Sequence, residues 1–197
     1  MSDDAAAKRR ARQTVINLVL SLAATLGIVL VTVLVVPRDD SNRIQPVDHI
    51  QIAAQVQKTT DLYLAAPKLP KGWWSNAARF NPSPADGVAT WYTGFVGPKN
   101  QYIGLTEAAN PNPTWLVQQL EGATKTGVFS VGYRDWDIFE SPQAHNPKKT
   151  KDYIMVMNFT KGEKIAVLLY GTGSLDDFAY FATSIDKVLR DGLKEGK

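Results

Sequence analysis

Residues 164–190 read KIAVLLYGTGSLDDFAYFATSIDKVLR, and this stretch sets the architecture. Its first part, KIAVLLY at 164–170, is apolar without the alternation of a half-exposed strand, so it predicts a central strand covered on both faces. Its second part is amphipathic. Leu175, Phe178, Phe181, Ala182, Ile185, Val188 and Leu189 recur at three- and four-residue steps and form one face of a helix. Ser174 stands at the cap position, Asp176 and Asp177 in the first turn, and Lys187, Arg190 and Lys194 near the end, the order that the helix dipole favours. A strand that needs cover on two faces, followed by a helix with one apolar face, predicts an α+β fold with that helix laid across a sheet.

Strand signals run upstream from this point. Segments 73–80, 88–96, 101–107, 127–132, 135–140 and 152–159 are rich in aromatic and β-branched residues and are bounded by turn residues. GPKN at 97–100 and TKGE at 160–163 are short enough to join antiparallel neighbours. Together they predict an antiparallel sheet of about six strands with flanking helices. Thr114–Gln119 reads as a short helix capped by Thr114. Pro67 and Pro70 keep LYLAAPKLPKG at 62–72 extended. Before it, 46–60 favours a helix with Asp48 as cap and Ile52, Ala53 and Val56 as a narrow apolar stripe, docked on the domain.

Nearest the N-terminus, Thr14 to Val36 is an uncharged run of 23 residues, TVINLVLSLAATLGIVLVTVLVV. At about 1.5 Å per residue it reaches roughly 34 Å, enough for a hydrocarbon core of about 30 Å. Lys8, Arg9, Arg10 and Arg12 precede it, so the positive-inside rule keeps the N-terminus cytoplasmic and exports the chain beyond the run. The run is long for a cleaved signal peptide and ends in VTVLVVP without a small-x-small site, so an uncleaved signal anchor is expected. The expected order is a basic tail at 1–13, a transmembrane helix at 14–36, a stalk and juxtamembrane helix at 37–61, and an extracytoplasmic α+β domain at 62–197. Asn17, Ser21, Thr25 and Thr32 project within an arc of roughly 80° on the span, and Ala24 joins them. That stripe is a candidate face for a partner helix in lipid, or its hydroxyls bond back to their own helix.

Composition narrows the chemistry. Removing the four basic and two acidic residues of the first 12 from totals of 22 and 19 leaves 18 against 17. So the exported part is almost neutral and no nucleic-acid partner is expected. Cysteine is absent, which excludes thiolate zinc, iron–sulfur clusters, covalent haem, a cysteine nucleophile and lipid attachment at a cysteine. The two histidines, His49 and His145, have no neighbour at ligand spacing and are expected to be solvated, so no metal or other cofactor is expected. Gly171-Thr172-Gly173-Ser174 precedes a helix, but Asp176 and Asp177 would repel a phosphate there, so it reads as a turn. Asp135 and Asp137 share a strand face around Trp136 and are the one carboxylate pair with the spacing for acid–base work. Pairs of this kind commonly edge a solvated face, with Arg134 here to offset them. Asn158-Phe159-Thr160 is a formal glycosylation sequon that falls in a strand.

Five tryptophans lie between positions 73 and 136. In a strand, the neighbours Trp73–Trp74 and Trp91–Tyr92 must face opposite sides, so one of each pair is core and the other is available. Trp73, Trp74, Trp91, Tyr92 and Trp136 are the candidate aromatic contact surface, beside Trp115 and Tyr133; the alternative is that they fill the core.

The segments VDHIQIAAQ, LPKGWWSNAARF, WYTGFVGPKNQYIGLTEA and IAVLLYGTGSLDDFAYFATSI, behind a basic tail and one span, resemble an actinobacterial family of unknown function, domain of unknown function 4245. The resemblance covers nearly all of the chain from the span onward and implies a single-pass membrane protein with no catalytic residues to carry over. The element order also looks like the sheet-plus-helices arrangement of Mog1 and PsbP-type domains, by analogy alone. The expectation is a non-enzymatic accessory subunit or scaffold of a membrane complex. A respiratory supercomplex is one such assembly, because this subunit would need no redox ligands of its own. The alternative is a tethered lipid- or glycan-binding domain, and the third is an enzyme using Asp135 and Asp137.

Overall fold

The computed structural model describes residues 3–35, 45–82, 84–132, 134–146, 151–157 and 165–195. The sequon at 158–160, the TKGE turn and Tyr133 lie outside these residues. The chain forms two compact units, Met1–Arg43 and Ile44–Lys197.

The first unit is one helix, α1 (Asp3–Val35), of which Lys8–Leu34 is long and apolar enough to cross a membrane. Within it, Thr25 Oγ1 donates to Ser21 O at 2.9 Å and Thr32 Oγ1 to Ile28 O at 2.5 Å, so both hydroxyls bond back to their own helix.

The second unit is an α+β fold around an antiparallel sheet of seven strands, each falling on one of the segments with strand signals. In chain order these are α2 (His49–Val56), β1 (Trp74–Asn81), β2 (Thr90–Val96), β3 (Tyr102–Ala109), α3 (Pro113–Leu120), β4 (Thr124–Val131), β5 (Arg134–Glu140), β6 (Tyr153–Met157), β7 (Ile165–Gly171) and α4 (Leu175–Glu195). The spatial order is β1-β2-β3-β7-β6-β5-β4. Two meanders, β1–β3 and β4–β7, therefore join along the β3–β7 ladder, and α3 carries the chain from one to the far edge of the other. The apolar run at 165–171 stands in the middle of the sheet, as its lack of alternation requires.

The period of two sorts the sheet into layers. One face carries Phe95, Ile103, Leu105, Trp136, Met155, Val167 and Leu169, and packs against Phe178, Phe181, Ala182, Ile185 and Leu189 of α4. The other carries Ala108, Ile154, Val156, Ala166 and Leu168 beneath Trp115 of α3. Leu175, expected on the buried face of α4, is 45% exposed, because it opens the helix before Phe178 reaches the sheet. A third cluster, Ala53, Leu62, Leu64 and Trp91, seats α2 and the extended segment 62–66. The folded unit thus takes in residues ahead of position 62. Asp48 caps α2 by accepting from Gln51 N at 2.9 Å. For α3 the cap is Asn112, which accepts from Trp115 N at 2.8 Å; Thr114 is already inside the helix. Ser174 and Asp177 close the α4 start, the serine hydroxyl accepting from Asp177 N at 3.2 Å.

Candidate functional site

The face of the sheet that carries α3 also holds a recess of about 450 Å³. Its floor is Thr90 and Tyr92 of β2 with Thr106 of β3. Arg79 and Asn81 of β1 form one wall, Trp115 and Gln119 of α3 the other, and Asp86 and Val88 of the β1–β2 loop close the end. The register explains the grouping. Arg79 pairs with Tyr92, Asn81 with Thr90, and Tyr92 with Thr106, so side chains distant in sequence fall on one face of three adjacent strands. The volume lies within the roughly 300–1,000 Å³ of small-molecule sites, and the lining offers amide, hydroxyl, guanidinium and carboxylate groups.

These groups are held in place. The Arg79 guanidinium sits 4.3 Å above the centre of the Tyr92 ring, a cation–π contact that fixes a flexible side chain. Tyr92 in turn hydrogen-bonds to Tyr102 through their hydroxyls. Burial, with the Tyr92 hydroxyl beside it, pushes Tyr102 well above the ordinary tyrosine range. Burial is also the main cause that pushes Tyr170 up to about 12. The rings remain neutral and act as donors and packing surface. They lie over glycine: Gly94 pairs with Gly104 across β2 and β3. A Cβ on Gly104 would come within 2.7 Å of the Tyr170 ring, and one on Gly94 would run into Asn76 Oδ1. Asn76 is the extra residue of a bulge between Ser75 and Ala77, and its buried Oδ1 has no hydrogen-bond partner. Asp86 is partly committed, since its Oδ1 accepts from Val88 N at 3.0 Å.

The structure divides the expected aromatic surface. Trp91 and Trp136 are fully buried and cannot form an exposed face; the first lies on segment 62–66 and the second under α4. Trp91 Nε1 donates to Ala65 O at 3.1 Å. Trp73 packs edge-on against Phe181 with ring centres 5.0 Å apart, and Trp74 is half-buried on the edge strand. Of the five, Tyr92 alone lines the recess, together with Trp115 from α3. Sequence reading missed Arg79, Asn81, Thr90, Thr106 and Gln119. A signal was present: glycines inside two predicted strands mark a close approach by another group.

The remaining candidates separate. Asp135 Oδ1 accepts from Ser130 Oγ at 2.6 Å and Asp137 pairs with Lys125 at 2.8 Å. Arg134 approaches buried Asp186 of α4 at 3.7 Å, with Arg190 at 3.9 Å from the same carboxylate. His49 is buried rather than solvated, its Nε2 2.9 Å from Pro67 O and its ring edge-on to Phe95, because α2 docks on the sheet. His145 is exposed, 3.6 Å from Asp152. Among the described residues no three His, Cys, Asp or Glu side chains converge as a metal site. Gly171-Thr172-Gly173 is a turn wrapped on Tyr102, whose carbonyl accepts from Thr172 N at 2.9 Å and Gly173 N at 3.3 Å.

One buried carboxyl carries no signal in the local sequence. Glu107 is fully buried, and Ala65 N donates to it at 3.0 and 2.9 Å from its two oxygens. Burial pushes its pKa up to about 8, against the lowering effect of that bond.

The chain belongs to the family described as protein of unknown function (DUF4245), which matches residues 10–185. No curated protein and no solved structure matches it, so the likeness to Mog1 and PsbP-type domains gains no support.

Proposed function

We propose that this chain is a single-pass membrane protein with a cytoplasmic N-terminus, whose exported unit is a non-catalytic module that binds a polar glycan of the cell envelope. The observation that carries the reading is the recess. It is a concave site on rigid strands, with a pinned guanidinium and amide and hydroxyl groups converging beside aromatic rings. Sugars present dense, fixed arrays of donors and acceptors, which planar amide and guanidinium groups match in pairs. The flanking basic cluster and the apolar length of α1 support the membrane assignment and its direction. The test is titration of the full-length protein in detergent with soluble glycan released from purified cell wall, read by the change in tryptophan emission that is lost in Trp115→Phe. Binding that falls tenfold or more in Asn81→Ala and Gln119→Ala, with the folded unit intact, is the expected outcome. No response to any envelope glycan fraction would defeat the reading.

A second reading rests on a different observation, the polar stripe of α1. Asn17, Ser21, Ala24, Thr25 and Thr32 on one helix face suit contact with another transmembrane helix, which would make the protein an accessory subunit or scaffold of a membrane complex such as a respiratory supercomplex. Hydroxyls bonded to their own helix, as Thr25 and Thr32 are, keep lone pairs free to accept. Pull-down of the tagged chain from native membranes in mild detergent tests it. Replacing Asn17, Ser21, Thr25 and Thr32 by Leu should release the partner; a chain that emerges alone in both forms refutes this reading.

A further inference from the structure

The outer face of α4, turned away from the sheet, carries a second concavity that the glycan reading does not use. It is a half-open groove of about 730 Å³, lined by Ala179, Tyr180, Thr183, Val188 and Lys187 of α4 and by Lys68 of the extended segment. An amphipathic helix whose apolar stripe is already buried should be polar on this side. Here Tyr180 is 43% exposed and Val188 only half-buried, and the small side chains of Ala179 and Thr183 leave a trough between them. Two exposed lysines border the trough against one carboxylate, Asp191. An apolar trough edged by Tyr and Lys has the composition of membrane-interface surfaces, where lysine stems lie on apolar groups and their heads meet phosphate.

We propose that this groove binds an anionic phospholipid, with an acyl chain along the trough and the headgroup phosphate at Lys68 and Lys187. The occupant follows from the chain itself and rests on the anchored reading of α1. Eight residues, 36–43, lie between the end of α1 at Val35 and the start of the second unit at Ile44. Fully extended they span about 30 Å. On the anchored reading, the start of the folded unit cannot leave the membrane by more than that length, so lipid is the apolar ligand at high local concentration around the unit and a weak contact is well occupied. Net positive charge at the trough selects acidic over zwitterionic lipid and makes the contact salt-sensitive.

The experiment uses the full chain in nanodiscs containing phosphatidylglycerol with a photoreactive acyl chain, with lipid adducts mapped to peptides. Adducts are expected on α1, as the internal standard, and on α4 between 179 and 191. Lys68→Glu with Lys187→Glu should lower the α4 adduct at least fivefold and leave the α1 adduct unchanged. Thr183→Trp, which fills the trough without touching charge, should do the same. Adducts on α1 alone would overturn the groove assignment and leave the anchor standing, whereas none on either helix would overturn both. Equal α4 labelling with phosphatidylcholine would overturn the headgroup assignment. Cross-links between two copies of α4 after treatment of the same nanodiscs with a lysine-reactive bifunctional reagent, with no lipid adduct on α4, would overturn it in favour of a second copy of the chain.

Discussion

At the scale of single residues, the side chain with the largest stored consequence is Glu107. Its carboxyl sits opposite Trp91 in the β2–β3 register, and these two hold residue 65 from both sides, one through its N–H and the other through its carbonyl. The folded-state pKa of about 8 lies above the ordinary 4.5, so the folded protein keeps a proton that the unfolded chain gives up. The contribution to stability is therefore fully present below pH 4.5 and is lost as pH rises through about 8. The loss has a slope of up to about 1.4 kcal/mol per pH unit. Glu107→Gln should remove that slope, and urea unfolding of both proteins from pH 5 to 9 would show the curves parting across this window. Curves that stay parallel would mean Glu107 titrates normally. Gly171 makes a second case. A Cβ there would run into the Tyr102 carbonyl that anchors the turn, so Gly171→Ala should cost about 2 kcal/mol or more in thermal or chemical unfolding.

At the scale of elements, α3 does two jobs that share one residue. Trp115 closes the second core layer and also lines the recess, while Gln119, one turn later, reaches the same recess. The helix has only eight residues, too few to persist without its cap and its packing. Asn112→Ala should cost about 1 kcal/mol of stability. It should also weaken glycan binding more than its stability cost, because fraying at the first turn moves Trp115. Titration of that variant well below its melting temperature separates the two effects; unchanged affinity would show that α3 is held by its packing alone. The strands divide similarly. In TWYTGFV at 90–96 the odd positions Trp91, Thr93 and Phe95 are buried, which turns Thr90 and Tyr92 to the recess face. That alternation was legible in advance; the identity of the face was not.

At the scale of the molecule, the residues from Ile44 onward own their core. Trp91, Trp136, Phe95, Phe178 and Phe181 are all fully buried within that unit. Residues 44–197 produced without α1 should therefore unfold in one cooperative transition, with a melting temperature within a few degrees of the full chain in detergent. A broad transition, or a much lower midpoint, would show that the folded unit depends on α1. The absence of disulfides puts the whole burden on this core, and about 150 residues is a size at which burial alone suffices.

Features that depend on local periodicity are readable along the chain alone. The apolar length of α1, the caps of α2 and α4, the unalternating run that becomes the central strand and the α+β class all come from spacing between neighbouring residues. Features that depend on pairing between distant segments exist only once the chain has folded. Only the register of β1, β2 and β3 brings Arg79, Tyr92 and Thr106 onto one face, and only the docking of α2 and segment 62–66 buries His49, Trp91 and Glu107. A strand's period tells which residues share a face, while the strand's neighbours decide whether that face meets core, helix or water.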